Sequence, residues 1–217
     1  CCNIVANNAY WDAIPFLDLV HTNQGFGVVQ KNNIAPASRE RVERLRGQCI
    51  IRRDNEVESL IDYLEDNPQY HVLWKSSPAY SILSDCLITT ARELALYAEW
   101  DGSRKDFLKL RPKLIQFTMA TLEPVFSKDY VSMLVEMQRG DQLSGEDMRV
   151  VIMMKQILGC LVSANNEVAK KVIGDALGYM HENIESFETY SLSREYAAFV
   201  SAGYENTRES PFFSSLY

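Results

Sequence analysis

The residue types that could carry chemistry are few and scattered in this chain. His21, His71 and His181 are the only three histidines, and none sits in a ligand pattern such as HExxH. Isolated imidazoles of this kind read as ordinary surface or capping groups. The five cysteines, Cys1, Cys2, Cys49, Cys86 and Cys160, are odd in number and widely spaced, with no CxxC and no Cys/His cluster. That usage suits a reducing compartment, and the apolar settings of Cys86 and Cys160 predict small buried hydrophobes and not nucleophiles. The motifs GxSxG and SxxK and a phosphate loop are missing, and Gly25 and Gly27 lack the third glycine of a dinucleotide fingerprint. With 29 acids in the chain, carboxylate pairs arise by chance. The expectation is a protein with no catalytic residues, no cofactor and no metal site.

One cluster does stand out. Residues 39–53 hold six arginines and two glutamates, a local charge of +4, and residues 54–66 hold six acids and no base, a local −6. Arg39, Arg41, Arg44 and Arg46 are interleaved with Glu40 and Glu43, which favours a solvated face or a protein interface over a phosphate-binding surface. The 22 basic and 29 acidic residues give a net −7, so specific nucleic-acid binding is not expected. A second group of interface candidates is Tyr204, Phe212, Phe213 and Tyr217, four aromatics spaced by polar residues at the C-terminal end.

The elements that must position these groups are helices. With 217 residues, 47% of them hydrophobic, and only seven prolines and ten glycines, the chain can bury a sizeable core built from helices with short connections. Apolar stripes at helical spacing recur from Ser38 to Phe187, which predicts more than half of the residues in helices. The fold expectation is mainly α, a multi-helix bundle with at most one small β-hairpin, placed near Gly25–Ile34 with a turn at Asn32–Asn33. Residues 3–20 read as the remainder of a helix interrupted by Pro15. Ser38, Ser77, Ser103 and Ser144 are the expected N-caps, with Pro78 at a first helical turn and Asp147 completing a capping-box-like start.

Within 39–66 the charge order opposes the helix macrodipole, so two helices are expected there, the second capped by Asp54. Ile82 to Trp100 reads as one buried helical face, and Pro112 and Pro124 as dividers leaving helices near 113–122 and 127–138. The most hydrophobic helix starts at Ser144, breaks at Ser163–Asn166 and is followed by a second long one, their methionines serving as core filler. The expected organisation is an N-terminal helix remnant and hairpin or loop (1–37), a helical region (38–143), a long-helix region (144–203) and an aromatic tail (204–217). No apolar run is long enough to span a membrane, and the first 30 residues lack a signal-peptide pattern. Cys1 as a lipidated first residue, on a bacterial surface protein, is the third functional reading after assembly protein and helical enzyme or regulator.

The segments WKSSPAY (74–80), LITTARE (87–93) and SRKDFLKLRP (103–112), preceded by GFGVVQKNNIAPAS and RVERL (41–45), resemble a family of helical proteins encoded by Bacteroidetes phages and prophages. The resemblance spans roughly residues 9–135. It implies a virion structural role like that of a head–tail connector or adaptor, with protein partners: further copies of itself in a homo-oligomeric ring, and other virion proteins such as a portal. It implies location in the virion or the bacterial host cytoplasm. It also implies an additional helical segment upstream, so that the chain begins partway through the native protein. The resemblance carries over no catalytic residue, and the motif residues have structural readings of their own, Trp74 as an anchor before a capped helix and Arg111–Pro112 as a helix junction.

Overall fold

The computed structural model describes residues 1–17, 19–22, 25–28 and 38–202, and over these the protein is mainly α. In chain order the helices are α1 (Cys2–Ala13), α2 (Arg39–Asp66), α3 (Pro68–Lys75), α4 (Pro78–Leu83), α5 (Ala91–Tyr97), α6 (Arg104–Phe117), α7 (Glu123–Phe126), α8 (Lys128–Arg139), α9 (Gly145–Val162), α10 (Asn166–Glu182), α11 (Glu188–Ser191) and α12 (Arg194–Ala202). Strands β1 (Leu19–Thr22) and β2 (Gly25–Val28) pair antiparallel, Leu19 opposite Val28 and Thr22 opposite Gly25. The hairpin therefore begins upstream of its expected place, and the first two residues of β1, Leu19 and Val20, come from the stretch read as helix remnant. The Asn32–Asn33 turn lies outside the described residues.

The expected N-caps are present. Ser38 Oγ accepts from Arg41 N, Ser77 Oγ from Tyr80 N and Ser144 Oγ from Asp147 N, at 3.4, 3.1 and 3.0 Å. At Ser103 the cap is reciprocal: its Oγ accepts from Asp106 N at 3.3 Å, and its own N–H and O–H donate to Asp106 Oδ2 at 3.3 and 2.7 Å. Those bonds, with Lys109 beside them, hold the Asp106 carboxyl below its ordinary value.

Three expectations about helix boundaries are corrected. Residues 39–66 form one helix, α2, and Asp54 is a buried residue inside it. The macrodipole penalty is only about 0.3–1 kcal/mol at each end, and the tertiary bonds of the acids described below outweigh it. The stretch from Ile82 to Trp100 is divided, with Ser84–Thr90 outside any helix although Leu87 and Ile88 are fully buried. Ile88, Thr89 and Thr90 are three consecutive β-branched residues, which crowd a helical turn. Pro112 lies inside α6 instead of ending it. Leu108, whose carbonyl loses its i→i−4 partner, is on the exposed side with Pro112, where water can replace the missing N–H. The helix widens only later, at Thr118–Leu122, where Glu123 N donates to Thr118 O five residues back, directly before Pro124.

The chain forms two compact units. The first contains Cys1–Ser81, Thr90–Arg92 and Asp101–Lys109, and the second Ile82–Thr89, Glu93–Trp100 and Leu110 onward. In the first, α1 runs antiparallel along α2: Asn3 bonds Glu56, Asn8 bonds Arg53, and the Arg46 guanidinium lies 4.8 Å from the Trp11 ring centre. In the second, α9 is the central helix, with Val150, Val151, Met154, Ile157 and Leu158 fully buried. Gly159 lets α9 approach Tyr97: a Cβ there would lie 2.1 Å from the Tyr97 carbonyl oxygen. Tyr130, Phe187 and Tyr190 complete this core, Tyr130 edge-on to Phe187 at 6.1 Å.

Candidate functional site

Helix α2 presents three different faces. One packs on α1 through Arg46, Arg53 and Glu56. A second carries Asp54, Glu58 and Asp62, spaced i, i+4, i+8 and therefore aligned along the helix. Glu58 ion-pairs with Arg104 and, through its other oxygen, accepts from Arg92 N at 3.2 Å. Asp54 accepts from Arg53 at 2.6 Å and from Lys105 N at 3.4 Å, and Asp62 pairs with Arg92. The backbone donors Arg92 N and Lys105 N lie in the first turns of α5 and α6, so one acidic stripe supplies carboxylates to two helix N-termini. Asp54 and Glu58 are buried, and their charge is compensated by these donors.

The third face is exposed and basic. Arg41, Arg44, Leu45, Gln48, Ile51 and Arg52 follow one another along it, all exposed, with Leu45 43% and Ile51 48% accessible. Arg39 is exposed at the start of the helix. Arg44 has an exposed partner in Glu40 at 3.0 Å, and Arg46 is half-buried, 3.6 Å from Glu43. The structure thus brings Arg39, Arg41 and Arg44 to one exposed helix end and turns Arg46 toward Trp11. Tyr204, Phe212, Phe213 and Tyr217 lie outside the described residues.

In the second unit a recess of about 410 Å³ is lined by Pro124, Val125, Leu177, Ala198 and Phe199 together with His181, Tyr190, Arg194 and Glu195. The His181 ring stacks on Phe199 with centroids 3.7 Å apart, and its Nε2 lies 3.2 Å from the Tyr190 hydroxyl. Burial pushes the His181 imidazole below its ordinary value, which keeps it neutral at pH 7, and burial pushes Tyr190 up to about 12, first of all ahead of Glu195. Elsewhere in this unit Lys155 pairs with Glu93 at 2.6 Å, and Tyr130 O–H donates to Asp147 at 2.9 Å. Cys86 is a buried thiol raised to about 11 by desolvation and then by Glu93, whereas Cys160 is partly exposed. Among the described residues no group of three or more His, Cys, Asp and Glu is placed to hold a metal ion, and no helix is long and apolar enough to cross a membrane.

Sequence reasoning located the arginines of α2 and missed the use of its acids. The i, i+4, i+8 spacing of Asp54, Glu58 and Asp62 was the available signal, obscured by assigning Asp54 to a helix start. The recess was not legible, because His181, Tyr190 and Phe199 converge from separate helices.

Taken together, fold and site define a helical protein of two units whose first unit is tied by carboxylates of one helix to the starts of two others. Residues 1–82 match a family described as a family of unknown function, DUF6712, a match over less than half of the chain. No curated protein and no solved structure matches it.

Proposed function

We propose that the protein is a non-enzymatic virion assembly component, a head–tail connector or adaptor of a Bacteroidetes phage or prophage, working in the virion or in the host cytoplasm before assembly. The observation that carries this reading is the exposed arginine face of α2. Its cations surround two exposed aliphatic side chains, a mixture suited to a protein interface. The resemblance to phage proteins points the same way, and the aromatics Tyr204, Phe212, Phe213 and Tyr217 supply anchors for another chain. Mass measurement by light scattering, alone and with a candidate portal protein, tests the proposal. Association is expected in at least one of the two, and deletion of residues 204–217 is expected to weaken it while the melting temperature is retained. A monomer in both conditions would overturn the reading.

A second reading, a helical ligand-binding protein or enzyme, draws on the recess beside His181. Its size is within the range of small-molecule sites, and four ionisable groups converge on apolar walls. Saturable binding of a small molecule that is lost in Phe199→Ala and His181→Ala would favour it.

A further inference from the structure

We propose that the exposed basic face of α2 docks on the acidic surface around Glu182, Glu185 and Glu188 of a second copy of this chain, making a head-to-tail contact. The inference deepens the assembly reading and rests on it.

Opposite local charges at 39–53 and 54–66 suggest at first that α2 carries both halves of such a contact. The structure removes most of the acidic half, because Asp54, Glu58 and Asp62 are bonded within their own unit and Glu56 bonds Asn3, which leaves Glu65 and Asp66 exposed in the last turn of α2. The basic half stays on the surface, with Arg41, Arg44 and Arg52 flanking Leu45 and Ile51, and with Arg44 sharing its charge with the likewise exposed Glu40. Two acids at the far end of the same helix are a small counterpart to this face, and a larger acidic surface lies elsewhere. The first unit holds twelve basic and twelve acidic residues, and the second ten and seventeen, so the whole net charge of −7 belongs to the second unit.

Within the second unit, residues 172–193 contain Asp175, Glu182, Glu185 and Glu188 and neither Lys nor Arg. These four acids are exposed, and no ion pair to any of them occurs among the described residues. Leu192 follows, 81% accessible, an aliphatic counterpart to Leu45 and Ile51. Two different surfaces of opposite sign, one in each unit, make a heterologous contact that closes into a ring or extends as a filament. Such charge complementarity fixes register and orientation and speeds encounter.

The test is a charge swap followed by light scattering at low and high salt. Variant A carries Arg41→Glu, Arg44→Glu and Arg52→Glu, and variant B carries Glu182→Lys, Glu185→Lys and Glu188→Lys. All six positions are exposed, and circular dichroism checks that each variant retains its helices. In either variant alone the two surfaces carry like charge, and self-association is expected to weaken by about tenfold or more. Mixing A with B restores opposite charges at every contact, so association of the mixture is expected to return toward that of the wild type. Wild-type-like association of A or B alone, or a mixture that fails to recover, overturns this contact while assembly through another surface stands. A wild type that is monomeric alone yet binds a portal protein also overturns it and leaves the assembly reading intact. A wild type that associates with neither overturns both.

Discussion

At the scale of single residues, the firmest constraint in the second unit is the absence of a side chain. Gly159 faces the Tyr97 carbonyl so closely that an added Cβ would stand 2.1 Å from the oxygen and 2.5 Å from the carbonyl carbon. Backbone atoms cannot rotate away as a flexible side chain would, so α9 and the end of α5 must separate. Gly159→Ala is therefore expected to destabilise the protein by about 1–3 kcal/mol, the range for overpacking a well-filled interior. The higher helix propensity of alanine recovers at most about 1 kcal/mol of that. Chemical denaturation of the two proteins measures the difference, and equal midpoints and slopes would contradict the close approach. The contrasting site is Gly178, where a Cβ meets nothing within 4 Å, so Gly178→Ala serves as a control that is neutral or stabilising.

At the scale of elements, what could be read in the sequence was what is determined locally. Ser38, Ser77, Ser103 and Ser144 cap helices because each hydroxyl reaches an N–H three residues ahead, a relation contained in a tetrapeptide. Ser77→Ala and Ser103→Ala are each expected to cost about 1 kcal/mol, read as a shift in denaturation midpoint. If both variants melt like the wild type, the capping hydroxyls do not contribute. The periodic stripes likewise located α9, α10 and the turn between them. The misplaced boundaries are those where distant partners decide. Asp54 is a good N-cap residue by type, yet in α2 its carboxylate serves Lys105 N, 51 residues away. Pro112 is tolerated because it meets the exposed side of α6, and solvent exposure is set by packing that a periodic pattern only approximates. The same limit applied to the candidate interface: the arginines of α2 were legible from their density, whereas the fate of its acids depended on where the chain returned.

At the scale of the whole molecule, the stretch that matches a family and the unit that folds are different objects. The match covers residues 1–82, but the first unit also includes Thr90–Arg92 and Asp101–Lys109. Those two returns supply Arg92 and Arg104 as cations for Asp62 and Glu58, and they add the buried side chains of Ala91 and Phe107. Without them, one face of α2 loses its cover and two acidic positions lose their counter-charges. Glu65 and Asp66, in the last turn of α2, add negative charge where the macrodipole disfavours it. A fragment ending at residue 82 is therefore expected to melt at a lower temperature and less cooperatively than one ending at residue 110, although it contains the entire matched stretch. Circular dichroism of the two fragments against temperature makes the comparison. Hydrogen exchange locates the effect, with faster exchange expected along α2 in the shorter fragment than in the longer one. If the fragment ending at 82 melts as high and as sharply as the longer one, the carboxylate clamp is dispensable and the first unit ends with α4.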